Sequence, residues 1–180
     1  MIKGDIIGLR SVEFKDLEQL KDWRNIPSFR KNFREFRELN TFNQEVWLKK
    51  TNNSPNDFMF VFVNLKTSEI IGAGGLLYTD WIIRSADFSF YIGFNELYID
   101  DKGFAIDATK LLLEYGFNVL NLNKIWMELY EFDTAKLDFF LNKFNFKIDG
   151  TLRDNCFNDG KYWDSKIISL IKKDFKLEKK

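Results

Sequence analysis

The step Lys102-Gly103-Phe104-Ala105 lies between a strand-like run ending near Gly93 and an apolar, helix-like run from Thr109 to Leu120. This junction, inside Asp100-Asp101-Lys102-Gly103-Phe104-Ala105-Ile106-Asp107-Ala108, constrains the chain more than any other segment. A glycine at a strand-to-helix crossover leaves backbone N–H groups pointing outward at a helix N-terminus. Such a terminus holds a phosphate or pyrophosphate without a dedicated cation. Short glycine motifs recur by chance, so the weight of this one depends on the elements around it.

Those elements follow a readable order. Gly8 to Val12 reads as a first strand, and the segment after it as a helix to about Trp23, with Leu17, Leu20 and Trp23 at helical spacing. Asn25-Ile26-Pro27-Ser28 breaks that helix. Thr41 is the expected N-cap of a helix through Lys50. Phe58–Asn64 and Glu69–Tyr78 read as antiparallel strands joined by a turn, and Ser85–Gly93 alternates as another strand. Asp107 to Leu120 is the expected central helix. It is followed by a strand over Lys124–Phe132, a helix over Thr134–Lys143, a short strand over Phe146–Ile148 and a last strand over Trp163–Ile171. Consecutive strands that then alternate with helices predict an α/β (α+β) fold with a mixed sheet and helices on both faces. Gly72, Gly74 and Gly75 lie inside a strand and point to a bulge or tight sheet packing rather than a second phosphate loop.

The 180 residues fit a single domain, 1–180, with a substantial core. Lys and Arg number 27 and Asp and Glu 27, so no strong field favours nucleic acid or an anionic membrane. No signal peptide is recognisable at Met1–Arg10, and no apolar run reaches the ~20 residues of a membrane span; a cytoplasmic protein is expected. Cys156 is the single cysteine, which excludes an intrachain disulfide and a thiolate-rich metal site. The chain has no histidine. A Ser–His or Cys–His pair and histidine-ligated zinc are therefore impossible, and proton transfer must use Asp, Glu, Tyr, Lys, water or backbone. No metal is expected. Exposed aromatics leave a homodimer open.

Four segments resemble the GNAT acetyltransferase superfamily, in the branch of ribosomal-protein N-terminal acetyltransferases and nucleotide-amino-sugar N-acetyltransferases. They are Leu20-Lys21-Asp22-Trp23-Arg24-Asn25; Ser85 to Gly93; Lys102 to Ala105 with Leu112 to Phe117 and Leu120 to Lys124; and Asp149 to Arg153 with Gly160 to Asp164. The resemblance implies a GNAT-like, mostly antiparallel mixed sheet and acetyl-CoA as co-substrate. The implied activity is acetyl transfer to a primary amine by direct attack. The acceptor it suggests is a small amine such as a nucleotide-linked amino sugar; a protein α-amine and a non-catalytic CoA-binding module are the alternatives.

The resemblance also implies site residues. The backbones of Tyr91 and Ile92 would meet the pantetheine amides. The N–H groups of Lys102, Gly103, Phe104 and Ala105 would meet the pyrophosphate. Asp133 or Thr134 stands where the family often has Asn. The Tyr often used as general acid falls at Phe140 or Leu141, and neither has a hydroxyl. Asp100 stands where the superfamily often has Arg or Gln, and an acid there must point away from the pyrophosphate.

Deprotonating an ammonium before attack requires a base. Glu128 shares a strand face with Trp126 and Tyr130, opposite the apolar Ile125, Met127 and Leu129. It is the first candidate base, the other reading being a solvent-facing or ion-paired Glu. Asp87 is the second, or else a structural partner of Arg84 or Arg153. Tyr130 is a candidate acid or an ordinary rim Tyr. Backbone N–H groups at a splayed strand would polarise the thioester carbonyl. Arg30, Phe33 and Arg34, in the mixed segment Phe29–Leu39, are candidate acceptor contacts, or one face of a helix whose charges Glu35 and Glu38 neutralise. Trp23, Arg24 and Asn25 are read as fixing the first helix rather than touching substrate.

Overall fold

The computed structural model describes residues 1–100 and 102–176; Asp101 of the glycine step and residues 177–180 of the charged tail lie outside the described residues. One sheet contains β1 (Ile2–Lys3), β2 (Ile7–Ser11), β3 (Phe58–Asn64), β4 (Ile70–Asp80), β5 (Ser85–Ile92), β6 (Lys124–Tyr130), β7 (Lys147–Asn158) and β8 (Lys161–Ile171). The helices are α1 (Leu17–Asn25), α2 (Pro27–Arg30), α3 (Thr41–Asn53), α4 (Phe104–Glu114) and α5 (Thr134–Lys143). Strand order is β1-β2-β3-β4-β5-β6-β8-β7, antiparallel throughout except between β5 and β6. This is the mixed α/β sheet that the element order implied.

Strand alternation divides the core into two layers. Val61, Val63, Ala73 and Tyr91 turn toward α1–α3 and pack with Leu17, Leu20, Trp23, Phe29 and Leu48. Phe62, Phe88, Phe90, Ile125, Met127 and Leu129 turn the other way, toward α4 and α5, and meet Leu112, Phe139 and Phe140. Burying each such side chain contributes roughly 1.5–3 kcal/mol. The three glycines of β4 let strands approach closely. A Cβ on Gly72, Gly74 or Gly75 would run into the carbonyl oxygen of Tyr91, Ser89 or Phe58 respectively. The packing reading of these glycines holds, and they form no phosphate loop.

Several boundaries differ from expectation for identifiable reasons. Asn40, not Thr41, caps α3: its Oδ1 accepts the Asn43 N–H at 2.9 Å, and the Asn43 side chain accepts the Asn40 N–H at 3.0 Å. Pro27 breaks α1 but also starts the short α2, because its fixed φ suits a first helical turn. The central helix begins at Phe104 and leaves α geometry at Glu114, giving way to a π turn over Tyr115–Val119. Strand β7 runs twelve residues, far beyond Phe146–Ile148. Its side chains are largely solvent-facing and include Lys147, Asp149, Arg153 and Asp154, so it carries no apolar alternation to read.

Asp107 ties α4 to the first hairpin. Its buried carboxylate accepts the N–H groups of Asp5 at 3.2 Å, Ile6 at 2.8 Å and Ile7 at 2.9 Å. Replacing it strands one buried donor and two part-buried ones; a buried unsatisfied group costs about 1–3 kcal/mol, and the part-buried two add to it. Asp107→Ala should therefore lower the unfolding free energy by about 3 kcal/mol or more, measured by urea denaturation; a change below ~1 kcal/mol would contradict this anchoring role.

Candidate active site

The two parallel strands separate early. β5 and β6 pair at Ser85↔Lys124, Ala86↔Ile125 and Asp87↔Trp126, and nowhere beyond. β4 follows β5 on to Ile92, and β8 follows β6 on to Tyr130. The sheet thus opens into a V whose apex is Asp87 and Trp126. Gly93 donates to the Ile71 carbonyl at 2.9 Å. By antiparallel alternation the peptide groups of Asp87, Ser89 and Tyr91 then face β4, and those of Phe88, Phe90 and Ile92 face the opening. Ile92 N–H already donates to the Tyr98 carbonyl at 2.9 Å. Phe90, not Tyr91 or Ile92, is thus the residue offering both peptide groups to an extended ligand. Tyr91 turns its backbone to β4 and buries its ring among Trp23, Phe29 and Phe33.

A cleft of about 550 Å³ lies on the α1–α3 side of the V, lined in part by Arg24, Phe33, Arg34, Asp87, Tyr91, Glu128 and Lys136. At the apex, one guanidinium joins two carboxylates. Arg34 Nη1 donates to Asp87 Oδ2 at 2.6 Å, and Arg34 Nε lies 3.5 Å from Glu128 Oε2. The partner of Asp87 is therefore Arg34, and neither Arg84 nor Arg153. The Asp87 side chain is 9% exposed and that of Glu128 16%. Burial pushes the Asp87 carboxyl above its usual range, against the opposing pull of Arg34. Glu128 Oε1 accepts from Asn155 Nδ2 at 2.7 Å and Ser165 Oγ at 2.8 Å, which fixes its direction.

The remaining expected residues scatter. Phe33 reaches the cleft with Arg34, whereas Arg30 ion-pairs with Glu38 and lines a second cavity. Tyr130 opens onto that second cavity beside Cys156, and burial pushes its hydroxyl up. Phe140 is fully buried, and no hydroxyl replaces the missing one there. Thr134 lies exposed at the first position of α5; the cap is Asp133, which accepts the Lys136 N–H at 3.3 Å and the Tyr98 hydroxyl at 2.6 Å.

Two cations in the cleft escaped the sequence reading. Lys136 is 5% exposed, with its ammonium 4.4 Å from the Tyr98 ring centre and 5.6 Å from that of Phe33. The Arg24 guanidinium stands 4.0 Å from the same Phe33 ring, and its Nε is buried without a hydrogen-bond partner. Burial lowers both, Lys136 to about 8. Lys136 was detectable in sequence: it stands one turn before Phe139 and Phe140, on the apolar face of α5.

The glycine step has the shape expected of an anion cradle, but part of it is occupied. Gly103 adopts φ 94°, a conformation that favours glycine. The Asp100 carboxylate does not point away from the step. It accepts the Phe104 N–H at 2.9 Å and the Ala105 N–H at 2.5 Å. Two of the four expected pyrophosphate donors are therefore engaged by the chain's own acid.

Residues 7–140 match the acetyltransferase (GNAT) domain family. The chain belongs to this family. It is an acetyl-CoA-dependent N-acetyltransferase of GNAT fold. It is similar to the N-acetyltransferase p20 of Bacillus licheniformis, itself uncharacterized, with 32% identity over 116 residues. That match covers 64% of this chain and 63% of the relative, just under two thirds of its length. It is similar to the spermidine N(1)-acetyltransferase of Vibrio cholerae, with 29% identity over 168 residues and 91% of each chain. The structure of a Vibrio cholerae spermidine N-acetyltransferase in complex with CoA and spermine superposes with a TM-score of 0.83. Its identity is 25%, and 93% of this chain and 96% of that one are covered. The two Vibrio cholerae relatives are polyamine enzymes, in place of the ribosomal-protein and amino-sugar branch that the motifs resembled.

Lys136 gives a testable pH signature. A lysine lowered to about 8 from 10.5 binds fewer protons when folded than when unfolded between those values, so its contribution to stability rises with pH there. Compared with Lys136→Met, the wild type should gain stability from about pH 8 to 10.5, by at most on the order of 3 kcal/mol. Denaturant unfolding at stepped pH measures this, and parallel curves for the two proteins would refute it.

Proposed function

We propose that this GNAT enzyme acetylates the primary amine of a small molecule, with the amine nitrogen entering from the α1–α3 cleft at the apex of the V. The observation that carries the reading is the carboxylate pair joined by Arg34 where β5 and β6 part. Bound acetyl-CoA would supply the thioester whose carbonyl carbon the amine attacks, with cleavage of the C–S bond. Phe90 would pair its peptide groups with the pantetheine arm. The N–H groups of Lys102 and Gly103 would face the pyrophosphate, and the Thr134 hydroxyl would stand beside the carrier at the start of α5.

Glu128 is the proton acceptor in this reading. Asn155 and Ser165 orient it, and its partial exposure admits a water relay to the ammonium. Asp87 holds Arg34 in place. One observation favours exchanging these roles: burial pushes the Asp87 carboxyl above its usual range. Nucleotide amino sugars have no support among these GNAT relatives; the two Vibrio cholerae enzymes take polyamines. A protein α-amine remains the alternative acceptor that an amine panel tests.

Loss of a positioned general base typically costs 10²–10⁴-fold. Glu128→Gln should lower kcat by roughly 10²-fold or more with little change in the KM for acetyl-CoA. A larger loss in Asp87→Asn would transfer the base role to Asp87. Unchanged kcat in both variants would remove the carboxylates from the chemistry.

A titration of thermal stability with acetyl-CoA tests the cofactor site independently, because a ligand that binds only the folded state raises stability with its concentration. The rise should saturate in the wild type and be lost in Gly103→Trp. Equal shifts in the two proteins would place the pyrophosphate elsewhere.

A further inference from the structure

Arg24 and Lys136 bring two positive charges to the cleft lining, both close to the Phe33 ring. Among the described residues neither ion-pairs with a carboxylate, and no side-chain hydrogen bond engages either. The acids whose fields reach them are committed elsewhere. Glu35 is bound by Arg37 Nε at 2.8 Å and Nη2 at 2.5 Å. Asp133 accepts from Tyr98 and from its own helix, and Asp87 from Arg34. Phe33, Tyr98 and Tyr91 offer ring faces or edges, which stabilise a desolvated cation only in part. Buried charges are normally paired; Asp133 and Asp87 act on Lys136, and Glu35 on Arg24, only from beyond ion-pair contact, and a ligand anion seated directly between the two cations would complete the arrangement.

Their location separates them from the pyrophosphate cradle. Phe33 and the Trp23–Tyr91 packing beside Arg24 belong to the α1–α3 layer, whereas Gly103 starts the helix on the opposite face of the sheet. Lys136 extends from α5 to meet Phe33 and Tyr98 in that layer. Along β5, Tyr91 lies four residues from Asp87, about 13 Å of strand at ~3.3 Å per residue.

We propose that the acceptor carries, besides its primary amine, an anionic group that seats between Arg24 and Lys136 while the amine reaches Asp87 and Glu128. This rests on the acetyl-transfer reading above and narrows its substrate class to amines with a carboxylate or phosphate several bonds from the nitrogen. A polyamine would instead bring a further ammonium against two uncompensated cations, and a wholly cationic acceptor is the one this cleft disfavours.

The test compares acceptors of equal length: an eight-carbon ω-amino acid, the corresponding ω-aminoalkyl phosphate, the eight-carbon diamine, and spermidine. The expected kcat/KM for one or both anionic amines exceeds that for the diamine and spermidine by about tenfold, the factor that ~1.4 kcal/mol gives. The better of carboxylate and phosphate identifies the source of the anion. Arg24→Gln should bring the anionic amine and the diamine to within about twofold of each other while leaving the KM for acetyl-CoA unchanged; Lys136→Met should do the same and serves if Arg24→Gln folds poorly. Preference for the diamine or spermidine overturns the proposal. So does a rise in the KM for acetyl-CoA in Arg24→Gln with acceptor selectivity intact, which would assign the cations to the cofactor.

Absence of turnover with every amine would count against the acetyl-transfer reading alone. Calorimetric binding of the amino acid and the diamine to the CoA-loaded protein then decides the anion site. Tighter binding of the amino acid, lost in Arg24→Gln, supports it, and equal binding refutes it.

Discussion

The active-site geometry depends on a short parallel contact. β5 and β6 share three residue pairs and then part, while their outer neighbours keep them in the sheet. A sheet that split without such support would expose unpaired peptide groups along two edges. Here the antiparallel partners β4 and β8 carry the strands past the split, so the opening is part of a folded sheet rather than a defect in it. It leaves the Phe90 peptide groups facing the gap and sets Asp87 and Glu128 at its narrow end, on the face opposite the phenylalanine-rich core. The glycines of β4 contribute from a distance, because they let β3 and β5 close in on β4 and hold β5 in line.

The charges of the cleft divide in two. At the apex, a single guanidinium faces two carboxylates in a compact network of Arg34, Asp87 and Glu128. Away from it, Arg24 and Lys136 are positive and uncompensated among the described residues. The acids that would neutralise them have been drawn into local pairs, most visibly Glu35, which Arg37 holds down to about 2. A cleft with a carboxylate pair at one end and two cations toward the other can discriminate among acceptors by charge and by length together.

Sequence reading recovered most of the fold because the inner strands and helices carry strong periodicity. Phe58–Asn64, Ser85–Ile92 and Thr134–Lys143 each show the pattern their burial requires. It failed at β7, whose polar, solvent-facing residues give no alternation. Of the site, the strand faces placed Glu128 and Asp87 on the side where the structure has them, because the period of a strand is two. What periodicity could not supply was the register between strands. Register decides that Phe90 rather than Tyr91 faces the opening. Long-range partners were equally hidden: Arg34 is 53 positions from Asp87, and nothing local links them. Arg24 was read as a scaffold residue because it sits on a helix with Leu20 and Trp23, and its unpartnered Nε is visible only in three dimensions.

The Asp100 cap changes what binding at α4 means. Because that carboxylate already satisfies the Phe104 and Ala105 N–H groups, the helix end is complete in the free protein. An incoming phosphate at those two groups meets a tethered rival rather than vacant donors. A tethered group acts at a high effective concentration set by its short loop. The net gain there is a difference between two anions, and it is smaller than either interaction alone. The Asp100 carboxylate, held by the turn in which Asn95, Glu96 and Tyr98 all take positive φ, is thereby an internal competitor for any anion that approaches these two groups.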